Sequence, residues 1–305
     1  MDIRSLDTEK PNANTKNIDQ LGTLDIVKLI NSEDKKVAES VEAALPAISA
    51  AIDGIYEKLK AGGRLVYAGA GTSGRLGLLD AVECPPTFGV DYDMVIALLA
   101  GGKDAFIKAK EGAEDKEALG VQDLQSIQFT SNDALVGIAA SGRTPYVKGA
   151  MEYAQSIGAF TVSLTCTQNA QIAPYATVDI SLQPGAEVIT GSTRMKSGTA
   201  QKMVLNMLST VAMIKLGKTY GNLMVDLKAT NEKLVSRAKS IVCMATDVDE
   251  KRAEEVLKLC GYSAKNAILM ILANVDYETS KETLAKFEGR IYPSLKNLSN
   301  DPQRS

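Results

Sequence analysis

The sequence contains no histidine and no tryptophan, and only five of its 305 residues are phenylalanine. Histidine is the commonest general acid or base near neutral pH, so any proton transfer here falls to carboxylates, lysine, tyrosine or cysteine. The four cysteines, Cys84, Cys166, Cys243 and Cys260, lie far apart with no CxxC pair. Without histidine they form no zinc-ligand pattern. They read as reduced thiols, and neither a metal nor another cofactor is expected. Scarce aromatic residues leave little surface for base stacking. Lys and Arg total 34 against 37 Asp and Glu, a net charge of -3 with no basic block, so nucleic acid is not an expected partner. No apolar run approaches the length of a membrane span, and Met1 to Gln20 is polar, without the apolar core of a signal peptide. A soluble, cytoplasmic chain with no membrane partner is expected.

What is present is ordinary for a globular protein: 45% hydrophobic and 23% charged residues. This length most economically holds one α/β domain and a smaller appendage. Residues 1–34 read as a polar arm with a short apolar segment, Leu24 to Ile30. From Lys35 to Ala61, apolar residues recur at steps of three or four, as in an amphipathic helix that Pro46 kinks or splits. Short apolar runs follow at Leu65–Tyr67, Met94–Leu99, Ala134–Ala140, Phe160–Thr165 and Val178–Leu182, mostly with helical segments between them. Such alternation predicts a three-layer αβα sandwich around a mostly parallel sheet over residues 35–228, with ligands bound beyond the carboxyl ends of the strands. Met203–Leu216 is apolar on nearly every side, so it is expected to be buried in the core or against another subunit, and a homodimer is expected. Residues 229–305 read as a small helical bundle, in which Asp247 with Glu250 and Thr279 with Glu282 have capping-box spacing.

Three hydroxyl-rich loops fall at strand ends or a helix start. The first lies in Tyr67–Phe88, where a glycine-rich turn follows an apolar strand and runs into a helix expected to end at Glu83 and two prolines. Glycines at 69, 71 and 74 permit close approach and positive φ, and the N–H groups of the following helix start suit an anion. Gly71, Thr72, Ser73 and Gly74 are the candidate phosphate ligands. The same spacing serves dinucleotide folds, but the next strand ends in Ala100, Gly101 and Gly102, without the acidic residue that binds the ribose. The other loops contribute Ser141, Arg143 and Thr144, and Ser192, Thr193, Arg194 and Lys196. Any one of these hydroxyls also reads as a helix N-cap. Arg194 and Lys196 read as surface charges or anion ligands, the second favoured by their small hydroxyl neighbours.

The stretches YAGAGTSGRLGLLDAVECPPTFG (67–89) and ITGSTRMKSGTAQKMVLNMLST (189–210) together closely resemble the N-acetylmuramic acid 6-phosphate etherases, a family of sugar isomerase (SIS) domain proteins. The similarity extends through LGTLDIVKLIN (21–31), GAED (112–115), SGRTPYV (141–147) and the helical tail. The resemblance implies an SIS fold and a lyase that removes D-lactate from the 3-position of a phosphorylated amino sugar during cell-wall recycling in the bacterial cytoplasm. It also implies two acid/base residues. Glu83 helps lactate leave and later activates water, and Glu114 acts at C2 or in ring opening. By residue type alone, either glutamate reads as a solvated charge. The substrate so implied has two anionic ends, and a guanidinium grips a carboxylate with two hydrogen bonds, which makes Arg194 a candidate for the lactyl group.

Two carboxylates suffice for such chemistry. Opening the sugar ring exposes an aldehyde that acidifies the C2 hydrogen, after which the C3 ether leaves by elimination and water adds across the double bond. Three other readings remain open from the residues: a non-catalytic phosphosugar sensor of the glucokinase regulatory protein type, an SIS-type aldose-ketose isomerase, and a dinucleotide-dependent oxidoreductase.

Overall fold

The computed structural model describes residues 7–108, 110–227 and 231–300. Two helices precede the sheet, α1 (Thr23–Glu42) and α2 (Leu45–Lys60). The expected helix over Lys35–Ala61 is therefore divided, because Pro46 sits in the first turn of α2, where its missing N–H costs nothing. The apolar segment Leu24–Ile30 belongs to α1, with Leu24 and Val27 exposed.

The sheet alternates strand and helix: β1 (Leu65–Gly69), α3 (Gly71–Phe88), β2 (Val95–Leu99), α4 (Glu117–Ser126), β3 (Ala134–Ala139), α5 (Pro145–Ser156), β4 (Phe160–Thr165) and β5 (Val178–Ser181). All pairings are parallel, in the order β2-β1-β3-β4-β5. Each strand lies within two residues of its predicted run. Every residue of β1 and β3 is buried, which requires cover on both faces. Val66, Ala68, Leu135 and Ala139 pack on Leu124 of α4 and on Tyr146, Val147, Ala150 and Met151 of α5. On the opposite face, Gly54 of α2 leaves room for the Phe160 ring, and Gly77 of α3 lies over Tyr67. The chain leaves β1 for β2 on one side and then returns to β3 on the other. That reversal opens a crevice at the carboxyl ends of β1 and β3, where such sheets bind ligands.

Helix α3 does not stop at Glu83: it continues through Pro85 and Pro86 to Phe88, and Gly89, at φ 65°, donates its N–H to Pro85 O. After β5 a long connection leads to α6 (Lys196–Lys215), a hairpin β6 (Thr219–Tyr220) and β7 (Leu223–Met224), and then α7 (Glu232–Thr246), α8 (Glu250–Leu259), α9 (Ala264–Ala273), α10 (Tyr277–Lys286) and α11 (Ile291–Ser299).

The chain forms two compact units, Met1–Val82 with Tyr92–Ser209, and Glu83–Asp91 with Thr210–Ser305. The second has its own core, including Ile241, Val242, Val256, Leu257, Ile268 and Leu269. Its caps differ from those expected. Asp247 is the left-handed C-cap of α7, and Asp249 caps α8 by accepting the Arg252 N–H. Asp276, not Thr279, caps α10. The expected boundary at 228/229 lies outside the described residues. Among the described residues, no single helix is long and apolar enough to cross a membrane.

Candidate active site

Glycine sets the geometry where β1 meets α3. Gly71 has φ 54° and opens the helix, so the N–H groups of residues 71–73 have no acceptor within α3. The first helical bond runs from Gly74 N–H to Ala70 O, 3.2 Å. Gly69 and Gly74 are needed for a different reason. A Cβ on Gly74 would lie 2.5 Å from Gly69 O, and one on Gly69 would lie 2.7 Å from Gly74 N. Gly74 therefore brings the helix close to the strand and does not face a ligand, and only Gly71 of the three has positive φ.

This open helix end forms one wall of a cavity of about 430 Å³, a size that suits a small ligand. Gly71, Thr72 and Ser73 line it together with Ser141, Arg143 and Thr144 from the β3–α5 loop, Thr193 and Gly191 from the connection before α6, and Glu114. The three loops singled out in the sequence do converge. Thr144 precedes α5 but makes no side-chain cap, so its hydroxyl is free of that duty. Glu114 is exposed at the cavity, and its carbonyl accepts the Tyr146 N–H at 3.0 Å, which ties its backbone to the first turn of α5. Ser73 is buried and donates to Gln201 Oε1 at 2.9 Å, while Gln201 Nε2 is buried with no partner among the described residues. Turning that amide by 180° pairs Nε2 with Ser73 and releases the Ser73 O–H toward the cavity.

The remaining candidates lie elsewhere. Lys196 does not meet a ligand: it is 1% exposed, and its Nζ donates to Glu33 Oε2 at 2.9 Å. An ammonium taken out of water needs a paired carboxylate, and Glu33 supplies one. Burial works against the charge on Glu33, but hydrogen bonds from Lys36, Asn14, Lys196 and Asn12 outweigh it and hold the carboxyl well below its usual range. The start of α6 is also filled from within, because the buried Glu187 carboxylate accepts the N–H groups of Lys196 and Ser197, both at 2.9 Å. Arg194 is exposed and Ser192 half-buried, and neither lines the cavity. Glu83, in the fourth turn of α3, is exposed and is likewise absent from the lining.

Two buried thiols and one buried phenol keep their protons near neutral pH. Burial pushes the Cys166 thiol up to about 12 and that of Cys260 to about 11. Burial, and then the hydrogen bond to Asp123, raises Tyr146 further. Asp80, on α3, is raised by burial against hydrogen bonds from Tyr67, Asn206 and Ser209. Those bonds fix the helix that carries Ser73 to β1 and α6. Among the described residues, no group of three or more Cys, Asp or Glu is arranged to hold a metal ion.

Two cavity features had no signal in the sequence. Gln201 reads as one more polar position on an apolar helix. Glu9, which also lines the cavity, lies more than sixty residues from the glycine-rich turn.

Comparison with known proteins places the chain in a family. The glucokinase regulatory protein N-terminal SIS domain model matches residues 47–155, and the SIS domain model matches residues 118–211. The chain is 55% identical to the N-acetylmuramic acid 6-phosphate etherase of Clostridium beijerinckii, over 98% of this chain and 99% of that one. It is 56% identical to the etherase of Clostridium botulinum, covering 97% and 98%. For the Vibrio campbellii etherase the identity is 58%, covering 94% and 93%. At this identity over nearly the whole length, the chain belongs to the N-acetylmuramic acid 6-phosphate etherase family.

Proposed function

We propose that this chain cleaves the D-lactyl ether of N-acetylmuramic acid 6-phosphate with water, giving N-acetylglucosamine 6-phosphate and D-lactate. The reaction would serve cell-wall recycling in the cytoplasm. The observation that carries this reading is the shared wall of one cavity, where an open helix end flanked by hydroxyls faces the same space as the Glu114 carboxylate. Anions settle at helix starts because unpaired N–H groups and the helix dipole both favour them. The 6-phosphate is assigned to Gly71, Thr72 and Ser73, with Ser141, Thr144 and Thr193 on the facing loops. Among the described residues Arg143 is the cation in the lining, and it replaces Arg194 as the partner for the lactyl carboxylate.

With the phosphate held, the open-chain aldehyde acidifies the hydrogen at C2. One carboxylate removes that proton, a carboxylic acid protonates the ether oxygen as the C3–O bond breaks, and D-lactate leaves. Water then adds at C3 as a proton returns to C2. Each assisted transfer is worth ~10²–10⁴-fold. Glu114 takes the role at C2 or in ring opening, and Glu83 the role at the leaving oxygen. Along α3, Glu83 lies twelve helical steps from Gly71, about 18 Å at a rise of about 1.5 Å per residue. Glu83 also stands beside the exposed Leu79 and Val82. In this reading a second copy of the chain covers that face and brings Glu83 to the cavity, which makes the homodimer the working form. In functional terms, residues 1–34 are the arm, 35–228 the sugar-phosphate-binding domain and 229–305 a helical domain.

Lactate release from N-acetylmuramic acid 6-phosphate in labelled water tests the proposal. The expected result is D-lactate together with label incorporated at C3. Glu83→Ala should abolish release while phosphosugar binding persists, and Glu114→Ala should lose ~10²–10⁴-fold in kcat. Near-normal turnover in either variant removes that residue from the chemistry. The match to the regulatory-protein domain favours one second reading, a phosphosugar sensor. Tight binding with no lactate formed would select it.

A further inference from the structure

Among the described residues, Glu9 is the one cavity-lining residue that precedes α1. It belongs to a 3-10 turn, Asp7–Glu9, and among the described residues its carboxylate has no hydrogen bond or ion pair. It lies against the loop that follows β5. A Cβ built on Gly191, at φ 75°, would come within 2.8 Å of Glu9 Oε2. The carboxylate thus lies directly against this glycine, whose backbone conformation other residues adopt only with strain.

The segment just after Glu9 is firmly held. Asn12 Nδ2 donates to Glu33 Oε2 at 2.9 Å and to Ala186 O at 3.1 Å. Asn14 Nδ2 donates to Glu33 Oε1 at 2.9 Å, and the buried Thr15 hydroxyl donates to Val188 O at 2.8 Å. Glu33 in turn holds the buried Lys196. The arm is therefore bound both to the buried charge pair and to the connection that supplies Gly191 and Thr193.

An unpaired carboxylate beside an anion site has a restricted set of partners. Like charges repel, so Glu9 stays apart from the phosphate and the lactyl carboxylate. What remains on an amino sugar is its amide N–H and its hydroxyls, both of which donate to a carboxylate. The same repulsion sets polarity, directing the phosphate toward the start of α3 and the neutral sugar carbons toward Glu9. We infer that the N-terminal arm completes the sugar-binding half of the cavity, with the Glu9 carboxylate accepting hydrogen bonds from the N–H and O–H groups of a bound amino-sugar phosphate. The identity of that sugar rests on the etherase reading.

A binding measurement tests this without requiring turnover. Calorimetric affinities for N-acetylglucosamine 6-phosphate and for inorganic phosphate are compared in the full chain and in Glu9→Ala and Glu9→Gln. Glu9→Ala should weaken the sugar phosphate roughly 10- to 100-fold, as expected when a hydrogen bond to a charged group is lost, and leave inorganic phosphate bound as tightly or more tightly. Glu9→Gln, which keeps an acceptor, should fall between. The double variant Asn12→Ala with Thr15→Val, which frees the arm outside the cavity, should reproduce the same selective loss. Unchanged affinity for the sugar phosphate in Glu9→Ala overturns the inference, as does equal weakening of both ligands or a native chain that prefers phosphate alone. If Glu9 discriminates as described but the native chain releases no lactate, the arm assignment stands and the etherase reading falls.

Discussion

Two helix starts in this molecule, those of α3 and α6, carry glycine and small hydroxyl residues in or just before the first turn and have opposite fates. At α3 the N–H groups of residues 71–73 face a cavity, whereas at α6 the corresponding groups of Lys196 and Ser197 are taken by Glu187. Small hydroxyl residues, glycine and a nearby cation make both ends fit for an anion. Whether the anion comes from solution or from the chain itself depends on a carboxylate nine residues upstream, which loop composition does not reveal. The open end is the one proposed to bind, and the closed end holds the arm and connection in place.

The contrast can be broken first at the closed end. Lys196→Met removes the cation from a buried pair and leaves Glu33 desolvated, so unfolding free energy should fall by ~3–5 kcal/mol, read by denaturant titration. A loss no larger than the ~0.5 kcal/mol of an ordinary surface substitution would mean that this end is not held by the ion pair. At the open end, Ser73→Ala should lower phosphosugar affinity roughly 10- to 100-fold and shift the unfolding midpoint much less than Lys196→Met. Comparable destabilisation by both variants would erase the distinction between a binding end and a structural one. The smallest effect concerns pH. Because the folded-state pKa of Glu33 is depressed, the unfolded chain binds that proton more readily. Its stabilisation is present above the ordinary glutamate value of about 4.3 and is lost as pH falls below it toward the folded value. The difference in melting temperature between the native chain and Glu33→Gln should therefore be largest near neutral pH and shrink toward pH ~3. A difference that stays constant across that range would assign the contribution to packing.

The sheet was legible because its strands are short apolar runs punctuated by glycine and separated by helical periods, a pattern that few folds satisfy. The place of Gly71, Thr72 and Ser73 at a cavity wall is legible for a similar reason: strand, glycine turn and helix are contiguous. Lys196 reads in the sequence as a surface charge or an anion ligand, but its burial is decided by Glu33, 163 positions away, and no local rule foresees such a pairing. The caps at Asp249 and Asp276 were displaced by two or three positions because several acidic and hydroxyl residues compete near each helix start, and backbone geometry selects among them. Gly74 shows a finer limit, since strand–helix packing and ligand approach call for the same residue. Glu9 and Gln201 carried no signal at all, as each matters only through the tertiary placement of an arm or of a helix face.

Parallel pairing also bears on the order in which this molecule is built. Strands β1 and β3 are neighbours in space, yet all of α3, β2 and α4 lie between them in the chain. Long loops must close before such contacts repay their entropy, which makes parallel sheets slow to form. The cavity walls come from the ends of β1 and β3, from the segments carrying Glu9 and Glu114 and from the connection after β5, so no short fragment of the chain contains the whole cavity. Phosphosugar affinity should then return only in the last phase of refolding, when the distant strands have already met, and ligand added earlier should leave the faster phases unchanged.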